Sequence, residues 1–136
     1  MNPNPEPPRS GADDGQDSSR GRRDLRVRTR DFALAVIRFY GTLPRTAEAH
    51  VLGRQLLRAG TSPGALYREA HRAKSNPDFI SKMEGALQEL DETQYWLELL
   101  QAAEIAPASA VQPLLREADE LIAIFVASVK TAKLRG

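Results

Sequence analysis

Residues 59–100 constrain the fold of this chain more than any other part of its sequence. A Gly-Thr-Ser-Pro-Gly interruption at 60–64 lies inside a segment that otherwise has the residue pattern of a helix. Asn76 and Pro77 then restart a helix, since Asn is a good cap and Pro fits the first helical position without losing a hydrogen bond. The restarted segment repeats apolar residues three and four positions apart, with Thr93 in the same seam, as in a helix packed along one side. This pattern predicts an all-α fold.

The same periodicity predicts four helices after residue 24. No alternating apolar run and no Asn-Gly or Asp-Gly turn indicates a strand. Thr46 should cap the second helix, and Pro63, which lacks a backbone donor and clashes with the preceding turn, should kink or break it. Ser109 and Gln112 form a capping-box pattern that should begin the fourth helix. The predicted helices span about 25–41, 46–74, 76–103 and 109–134.

The chain has 136 residues, which suits a single domain preceded by a tail. Short connections between long helices favour antiparallel neighbours, so residues 25–136 are predicted to form an up-down-up-down four-helix bundle. Residues 1–24 are rich in Pro, Gly, Ser, Asp and Arg and contain no large apolar residue after Met1. Such a segment cannot bury enough apolar surface to offset its ordering entropy. We therefore predict a disordered N-terminal tail.

The sequence lacks the residues of most catalytic and metal sites. The chain has no cysteine, which excludes disulfides and thiolate ligands. His50 and His71 are its only histidines, and neither belongs to the Glu-x-x-His pair that builds metal sites in bundles. Ser62 is the only serine in a strained setting, and Gly60 and Gly64 lack the Lys-Ser/Thr of a phosphate-binding loop. We predict no catalytic residue, no metal, no cofactor and no enzymatic activity.

Nothing in the sequence indicates a membrane. No apolar run approaches the roughly 20 residues that a membrane-spanning helix needs. The N-terminus has no apolar region of the kind that a secretory signal contains. We therefore predict a cytoplasmic protein without a membrane partner.

Positive charge is concentrated at the N-terminal edge of the predicted bundle. Six arginines and one aspartate lie between residues 20 and 30, whereas residues 31–136 carry twelve Lys or Arg and thirteen Asp or Glu. The basic run could bind the RNA or DNA backbone as a tethered arm, without sequence preference. It could equally be a solvated linker followed by the first turn of helix 1. The candidate binding residues of this basic arm are Arg20, Arg22, Arg23 and Arg26.

A second set of arginines has helical spacing within the second helix. Arg54 and Arg58 are four residues apart, and the same spacing recurs fourteen residues later, which is close to four turns. With Arg68 and Arg72 they should form one stripe of guanidinium groups suited to phosphate. The alternative is a structural role, in which the stripe faces acidic residues of the third helix, within one subunit or across a boundary. Those acidic residues include Glu84, Asp91 and Glu98.

Tyr95 and Trp96 lie beside the apolar seam of the third helix, because Leu97 and Leu100 occupy the seam itself. Amphipathic rings at such a flank often anchor a subunit contact. One hypothesis is that Trp96, with Tyr95 and Leu99, forms an oligomer interface. The alternative is that Trp96 packs in the core of the bundle.

Several separated motifs occur in this chain in a defined order. They are Leu43-Pro44, residues 55–64, residues 67–70, Asp78-Phe79 and residues 89–97. Together they resemble the bacterial four-helix-bundle family of the 23S rRNA intervening-sequence protein. The resemblance implies a left-handed bundle that assembles into a homopentameric barrel. A related protein, the accessory variability determinant of diversity-generating retroelements, is a basic pentamer that binds nucleic acid and a reverse transcriptase.

These observations lead to two functional predictions. In the first, the chain is a non-enzymatic, homopentameric scaffold that binds the RNA or DNA backbone through the arginines of helix 2 and the basic arm. In the second, it is a protein-only adaptor that docks a partner protein, such as a reverse transcriptase, on the surface of the ring. Retention of RNA or DNA at low salt separates the two predictions, because phosphate contacts weaken as salt rises.

Overall fold

The protein, analysed as a computed structural model, is built from four α-helices. The structure describes the backbone of residues 14–136 and the side chains of residues 25–136. The described residues contain no strand, so the prediction of an all-α fold is confirmed. The helices are α1 (Asp14–Gly41), α2 (Ala47–His71), α3 (Asn76–Ala102) and α4 (Ala108–Leu134).

The start of α1 differs from the start that the sequence predicts. The helix begins at Asp14, whereas its apolar periodicity begins only at Leu25. Apolar periodicity identifies only the part of a helix that packs against other helices. A helix can extend beyond that part, because each added residue forms a backbone hydrogen bond of its own. Residues 1–13 of the predicted tail lie outside the described residues.

The helix starts confirm one predicted cap and correct another. The Thr46 side chain accepts a hydrogen bond from the Ala49 amide at 3.2 Å, so it caps α2 as predicted. The cap of α3 is Ser75 rather than Asn76, because the Ser75 hydroxyl accepts from the Asp78 amide at 3.2 Å. The Asn76 side chain instead crosses to α4, as described below.

The predicted capping box at the start of α4 is wrong. The cap position is Pro107, which makes no side-chain cap hydrogen bond, and Ser109 already lies in the first turn. The Pro107 carbonyl accepts the first hydrogen bonds of the helix, from Ala110 at 3.0 Å and from Val111 at 3.1 Å. The helix therefore begins before the serine that resembles a cap.

Pro63 does not break α2, which continues through it to His71. The Ser62 hydroxyl donates to the Arg58 carbonyl at 2.7 Å, and the Thr61 hydroxyl donates to the Leu57 carbonyl at 2.9 Å. Hydroxyl bonds of this kind to the preceding turn often bend a helix without ending it. The predicted kink at this proline stays a prediction.

Each helix packs against its neighbours in the chain, and α4 returns to contact α1, so the helices form a ring in the order α1, α2, α3, α4. The backbones of the diagonal pairs stay apart among the described helices, but the Tyr67 ring of α2 meets the Phe125 ring of α4 edge-on across the core, with centroids 6.0 Å apart. Residue numbers rise along one helix as they fall along the next, which is the pattern that antiparallel neighbours produce. The paired positions are Thr29 with Gly64 and Val36 with Gly60, Lys82 with Glu69 and Glu92 with Arg58, and Asn76 with Ala132 and Gln101 with Gln112.

The buried faces of all four helices meet in one core. Thr93 is fully buried in the seam of α3, as predicted, and its hydroxyl donates to the Glu89 carbonyl at 2.7 Å. Since a buried hydroxyl needs a partner, this bond makes a polar residue acceptable in the core. The large side chains with almost no exposure are Val36, Leu56, Tyr67, Met83, Leu90, Leu97, Leu100, Val111, Leu121 and Phe125.

Glycines on α2 allow α1 to approach closely. A Cβ atom on Gly60 would lie 2.8 Å from Cγ2 of Val36, and one on Gly53 would lie 2.9 Å from the side chains of Tyr40 and Leu43. Such distances are shorter than real carbon contacts, so a larger residue at either position requires a neighbouring side chain or α1 itself to move. The Gly-Thr-Ser-Pro-Gly segment is thus a helix-packing surface as well as a proline site.

Candidate nucleic-acid and interface surfaces

The four arginines predicted to form a stripe are all exposed. Because α2 is unbroken through Pro63, Arg54, Arg58 and Arg68 share one helical face, and Arg72 follows at the cap position directly after the last helical residue. At about 100° per residue, the four positions lie within roughly 80° of one another. The structure therefore supports one exposed arginine face on α2.

Arg58 differs from the other arginines because it pairs with α3. Its guanidinium lies 3.0 Å from a carboxylate oxygen of Glu92 and 3.6 Å from one of Glu89. The side chain remains more than half exposed, so this pair is worth only about 0–1 kcal/mol. The structural role proposed for the stripe applies to Arg58, but its partners are Glu89 and Glu92.

The acidic residues expected to face the stripe do not pair with it. Glu84 pairs with Lys133 of α4 at 3.1 Å, so the expectation that it faces the arginines within one subunit is wrong. The heptad spacing of these residues indicates the side of α3 that faces α4. Within the described part of the chain, neither Asp91 nor Glu98 forms an ion pair.

Three arginines of the α2 face have no acidic partner among the described residues. Arg54, Arg68 and Arg72 form no ion pair or side-chain hydrogen bond with residues 25–136. The one carboxylate of this face, that of Glu69, lies 3.9 Å from Lys82 of α3. Three exposed guanidinium groups on a rigid helix are thus available to an external anion.

The basic arm divides into parts with different roles. The side chains of Arg20, Arg22 and Arg23 lie outside the described residues, and Arg26 is exposed on α1. Arg28 instead joins α1 to α4: its Nε donates to Glu117 at 3.0 Å and its Nη2 donates to Glu117 and Glu120, each at 2.7 Å. The run of arginines therefore includes at least one residue that stabilises the bundle, a role that charge counting did not predict.

Trp96 combines features of both predicted roles. Its ring is partly buried against the core, and its Nε1 atom is buried without a hydrogen-bond partner among the described residues. The Tyr95 ring contacts it edge-on, with centroids 5.1 Å apart, and is itself 54% exposed. Leu99, one turn further along α3, is partly buried. A tryptophan that packs partly against the core and an exposed tyrosine thus lie next to each other in the sequence.

The arginine face and the aromatic flank are neighbours, although the sequence suggested two separate surfaces. Arg58 of α2 lies opposite Glu92 of α3, and the paired positions run in opposite directions along the two helices. One turn before Arg58 on α2 is Arg54, and one turn after Glu92 on α3 is Trp96. These two residues therefore lie at the same level of the bundle. We call the region formed by Arg54, Arg58, Tyr95, Trp96 and Leu99 the α2–α3 surface.

The described residues show no arrangement typical of a metal or membrane site. No group of three or more His, Cys, Asp or Glu side chains among them could hold a metal ion. His71 Nε2 lies 3.0 Å from the Tyr67 hydroxyl, and His50 is exposed on the opposite half of α2. None of the helices in this part of the chain combines the length and the apolar character that a bilayer span requires.

Comparison with known proteins finds similarity over the folded part of the chain. A sequence profile of the family described as 23S rRNA-intervening sequence protein matches residues 23–127. A crystal structure from Bacteroides thetaiotaomicron VPI-5482, described as a protein with unknown function from the S23 ribosomal protein family, has a TM-score of 0.77. It is 33% identical in sequence, over 81% of this chain and 98% of the other. No curated protein matches the chain.

Proposed function

Because the chain belongs to the 23S rRNA-intervening sequence protein family, we propose that it is a non-enzymatic scaffold that binds the RNA or DNA backbone through the arginine face of α2. The observation that carries this proposal is the set of three exposed arginines without an acidic partner in the described residues, Arg54, Arg68 and Arg72. The family relation supplies the fold and the context, and the exposed guanidinium groups supply the chemistry.

Guanidinium groups suit this role because they hydrogen-bond phosphate oxygens in a planar fork and stay charged at physiological pH. Arg54 and Arg72 are 18 positions apart in the sequence, about 27 Å at a rise of 1.5 Å per residue. Phosphates follow one another along a nucleic acid strand, so a row of this length can contact several of them. Contacts of this type carry affinity without base specificity.

We further propose that the protein acts as a homo-oligomer, in line with the pentamer that the family resemblance implies, and that it works in the cytoplasm. Repetition of one arginine face in a ring would raise the effective binding strength without a new type of contact. The basic arm, with Arg20, Arg22, Arg23 and Arg26, would add contacts at the N-terminal edge of each subunit.

The test is salt-dependent binding of duplex RNA and duplex DNA, measured by fluorescence anisotropy from about 50 mM salt upwards. In the variant R54Q/R68Q/R72Q we expect binding to weaken and the salt slope to fall by about 0.9 for each phosphate that is no longer neutralised. The matched control is R38Q/R116Q/K130Q, which removes the same charge from exposed positions on α1 and α4. No binding of the native protein at about 50 mM salt, or equal weakening in the two variants, would refute the proposal.

The basic arm is tested separately by R20Q/R22Q/R23Q, which leaves residues 25–136 unchanged. If the arm contributes, this variant binds nucleic acid more weakly than the native protein. Combining it with R54Q/R68Q/R72Q should then weaken binding further. If the arm carries all of the binding, the α2 variant binds as tightly as the native protein, and the proposed role of α2 is wrong.

A second candidate function is a protein-only adaptor, and the aromatic flank favours it. Tyr95 is exposed beside the partly buried Trp96, and aromatic residues are enriched where proteins meet. On either proposal, Tyr95, Trp96 and Leu99 form the contact between subunits. On this one, the ring surface docks a partner protein such as a reverse transcriptase, without nucleic acid.

Light scattering of the Y95A and W96A variants tests the subunit contact. A folded protein of reduced mass supports the interface, whereas an unchanged oligomer rules it out. Q88A, at an exposed position two turns before Tyr95 on α3, is the matched control and should keep the native mass. Circular dichroism of each variant separates loss of assembly from loss of folding.

A further inference from the structure

A cavity of about 550 Å³ opens at the end of the bundle where α2 finishes and α3 begins. Its deepest residues, Leu25, Tyr67 and Met83, are almost completely buried. Ala127 and Arg135 line it from exposed positions at the C-terminal end of the chain, so they mark its mouth. The volume falls within the range of roughly 300–1,000 Å³ that is typical of small-molecule sites.

The walls of the cavity combine apolar side chains with polar ones, namely those of Tyr67, His71, Ser75, Asn76, Ser128, Thr131 and Arg135. Phe79 of α3 and Ile124 of α4 are partly buried and both line the cavity. The Asn76 side-chain amide donates to the Ala132 carbonyl at 2.7 Å, which ties the start of α3 to the end of α4 at the rim. A rim fixed across two helices favours a site that exists before a ligand binds.

Within residues 25–136, the charged side chain that lines the cavity is that of an arginine. Arg135 carries a permanent positive charge, and no Asp or Glu of the described residues lines the cavity. A ligand with a negative head would therefore gain a charge-assisted contact with Arg135, whereas a cationic ligand would meet no carboxylate of residues 25–136 there. The apolar depth and the cationic mouth together suit a molecule with an apolar body and an acidic end.

We propose that this cavity binds a small amphipathic carboxylate, with its aliphatic chain between α2, α3 and α4 and its carboxylate at Arg135. None of the four α2 arginines lines the cavity, although Arg72 lies between two lining residues, His71 and Ala73. The protein would then carry a ligand site at one end of the bundle in addition to its binding face.

Isothermal titration of the full chain with octanoate and with octanol tests the charge selection. We expect the native protein to bind octanoate about tenfold more tightly than octanol, because a hydrogen bond to a charged group is worth about that factor. In R135Q, octanoate binding should fall by about tenfold while octanol binding stays the same. Equal affinity of the native protein for the two probes would overturn the proposal.

A blocking variant tests the position of the site. A127W places a large ring at the mouth from an exposed position, and A123W places the same ring one turn earlier on α4, outside the cavity. We expect A127W to lose octanoate binding and A123W to retain it, with the thermal unfolding of both variants showing that they fold. Octanoate binding that survives in A127W, or no octanoate binding by the native protein, would contradict the proposal.

Discussion

The two sides of α2 pack in different ways. Toward α1, Gly53 and Gly60 bring the helices so close that an added Cβ atom would lie within 2.9 Å of a side chain. Toward α3, a Cβ atom on Gly85 would lie 3.6 Å from Leu66, an ordinary contact, and Arg58 reaches the carboxylates of the opposite helix. Close packing defines the first interface, whereas larger side chains and exposed ion pairs define the second.

This difference determines how the molecule should respond to substitution. An interface built on glycine has no spare volume, so added atoms must move a neighbouring side chain or the helix itself. An interface with ordinary contacts accepts a methyl group, and its exposed ion pairs contribute little to the free energy of unfolding. The same chemical change should therefore have opposite effects on the two sides of α2.

The largest effect should come from Gly60→Ala. The new Cβ atom would lie 2.8 Å from Val36 Cγ2, so we expect the free energy of unfolding to fall by about 1–3 kcal/mol, as in other overpacked cores. Urea denaturation followed by circular dichroism measures it. Combining the change with Val36→Ala should give a favourable coupling energy, because the shorter side chain removes the clash. An unchanged or higher stability of Gly60→Ala would remove the distinction between the two interfaces.

Gly85→Ala should have the opposite sign. The position lies inside α3, and the added methyl group meets only the Leu66 side chain at 3.6 Å. Replacing a mid-helix glycine by alanine should raise the free energy of unfolding by about 0.5–1 kcal/mol. The same urea titration measures the gain. A decrease as large as that of Gly60→Ala would show that α2 packs equally tightly against α1 and α3.

Arg58→Gln should have the smallest effect. It removes the pairs with Glu89 and Glu92 while the rest of the packing between α2 and α3 stays in place, so we expect a decrease of about 0–1 kcal/mol in the free energy of unfolding. The decrease should shrink between about 0.1 M and about 1 M NaCl, since salt screens exposed charges. Denaturation at both salt concentrations checks this. A larger decrease that persists at high salt would mean that the ion pair, rather than apolar packing, holds this side together.

The sequence predicted the parts of the fold that depend on neighbouring residues. Apolar spacing located all four helices, Thr46 was identified as a cap, and Thr93 was placed in the seam of α3. The sequence predicted Asn76 as the cap of α3, but Ser75 is an equally good cap by residue type and takes that position, while Asn76 contacts α4. The role of Asn76 therefore depends on its hydrogen bond to Ala132, which lies 56 positions further along the chain.

The candidate surfaces were harder to predict, for the same reason. Helical spacing placed the four arginines on one face, but the partners of Arg58 depend on the register between α2 and α3, which the sequence of either helix does not contain. Gly60 suggested an interruption because glycine and proline usually end helices, whereas its function depends on Val36 of another helix. Local sequence patterns predict where the helices lie. Which residues pair between two helices can be determined only from the folded bundle.

The hydrogen bonds between Arg28 and the two glutamates of α4 have a consequence for how the bundle assembles. They join residues 89 and 92 positions apart, whereas all other helix neighbours in the described part of the chain are consecutive. Contacts that close a long loop are entropically the most demanding and tend to form late. We therefore expect α1, α2 and α3 to associate while the chain is still being synthesised. The contacts between α1 and α4 should form only after α4 has been synthesised.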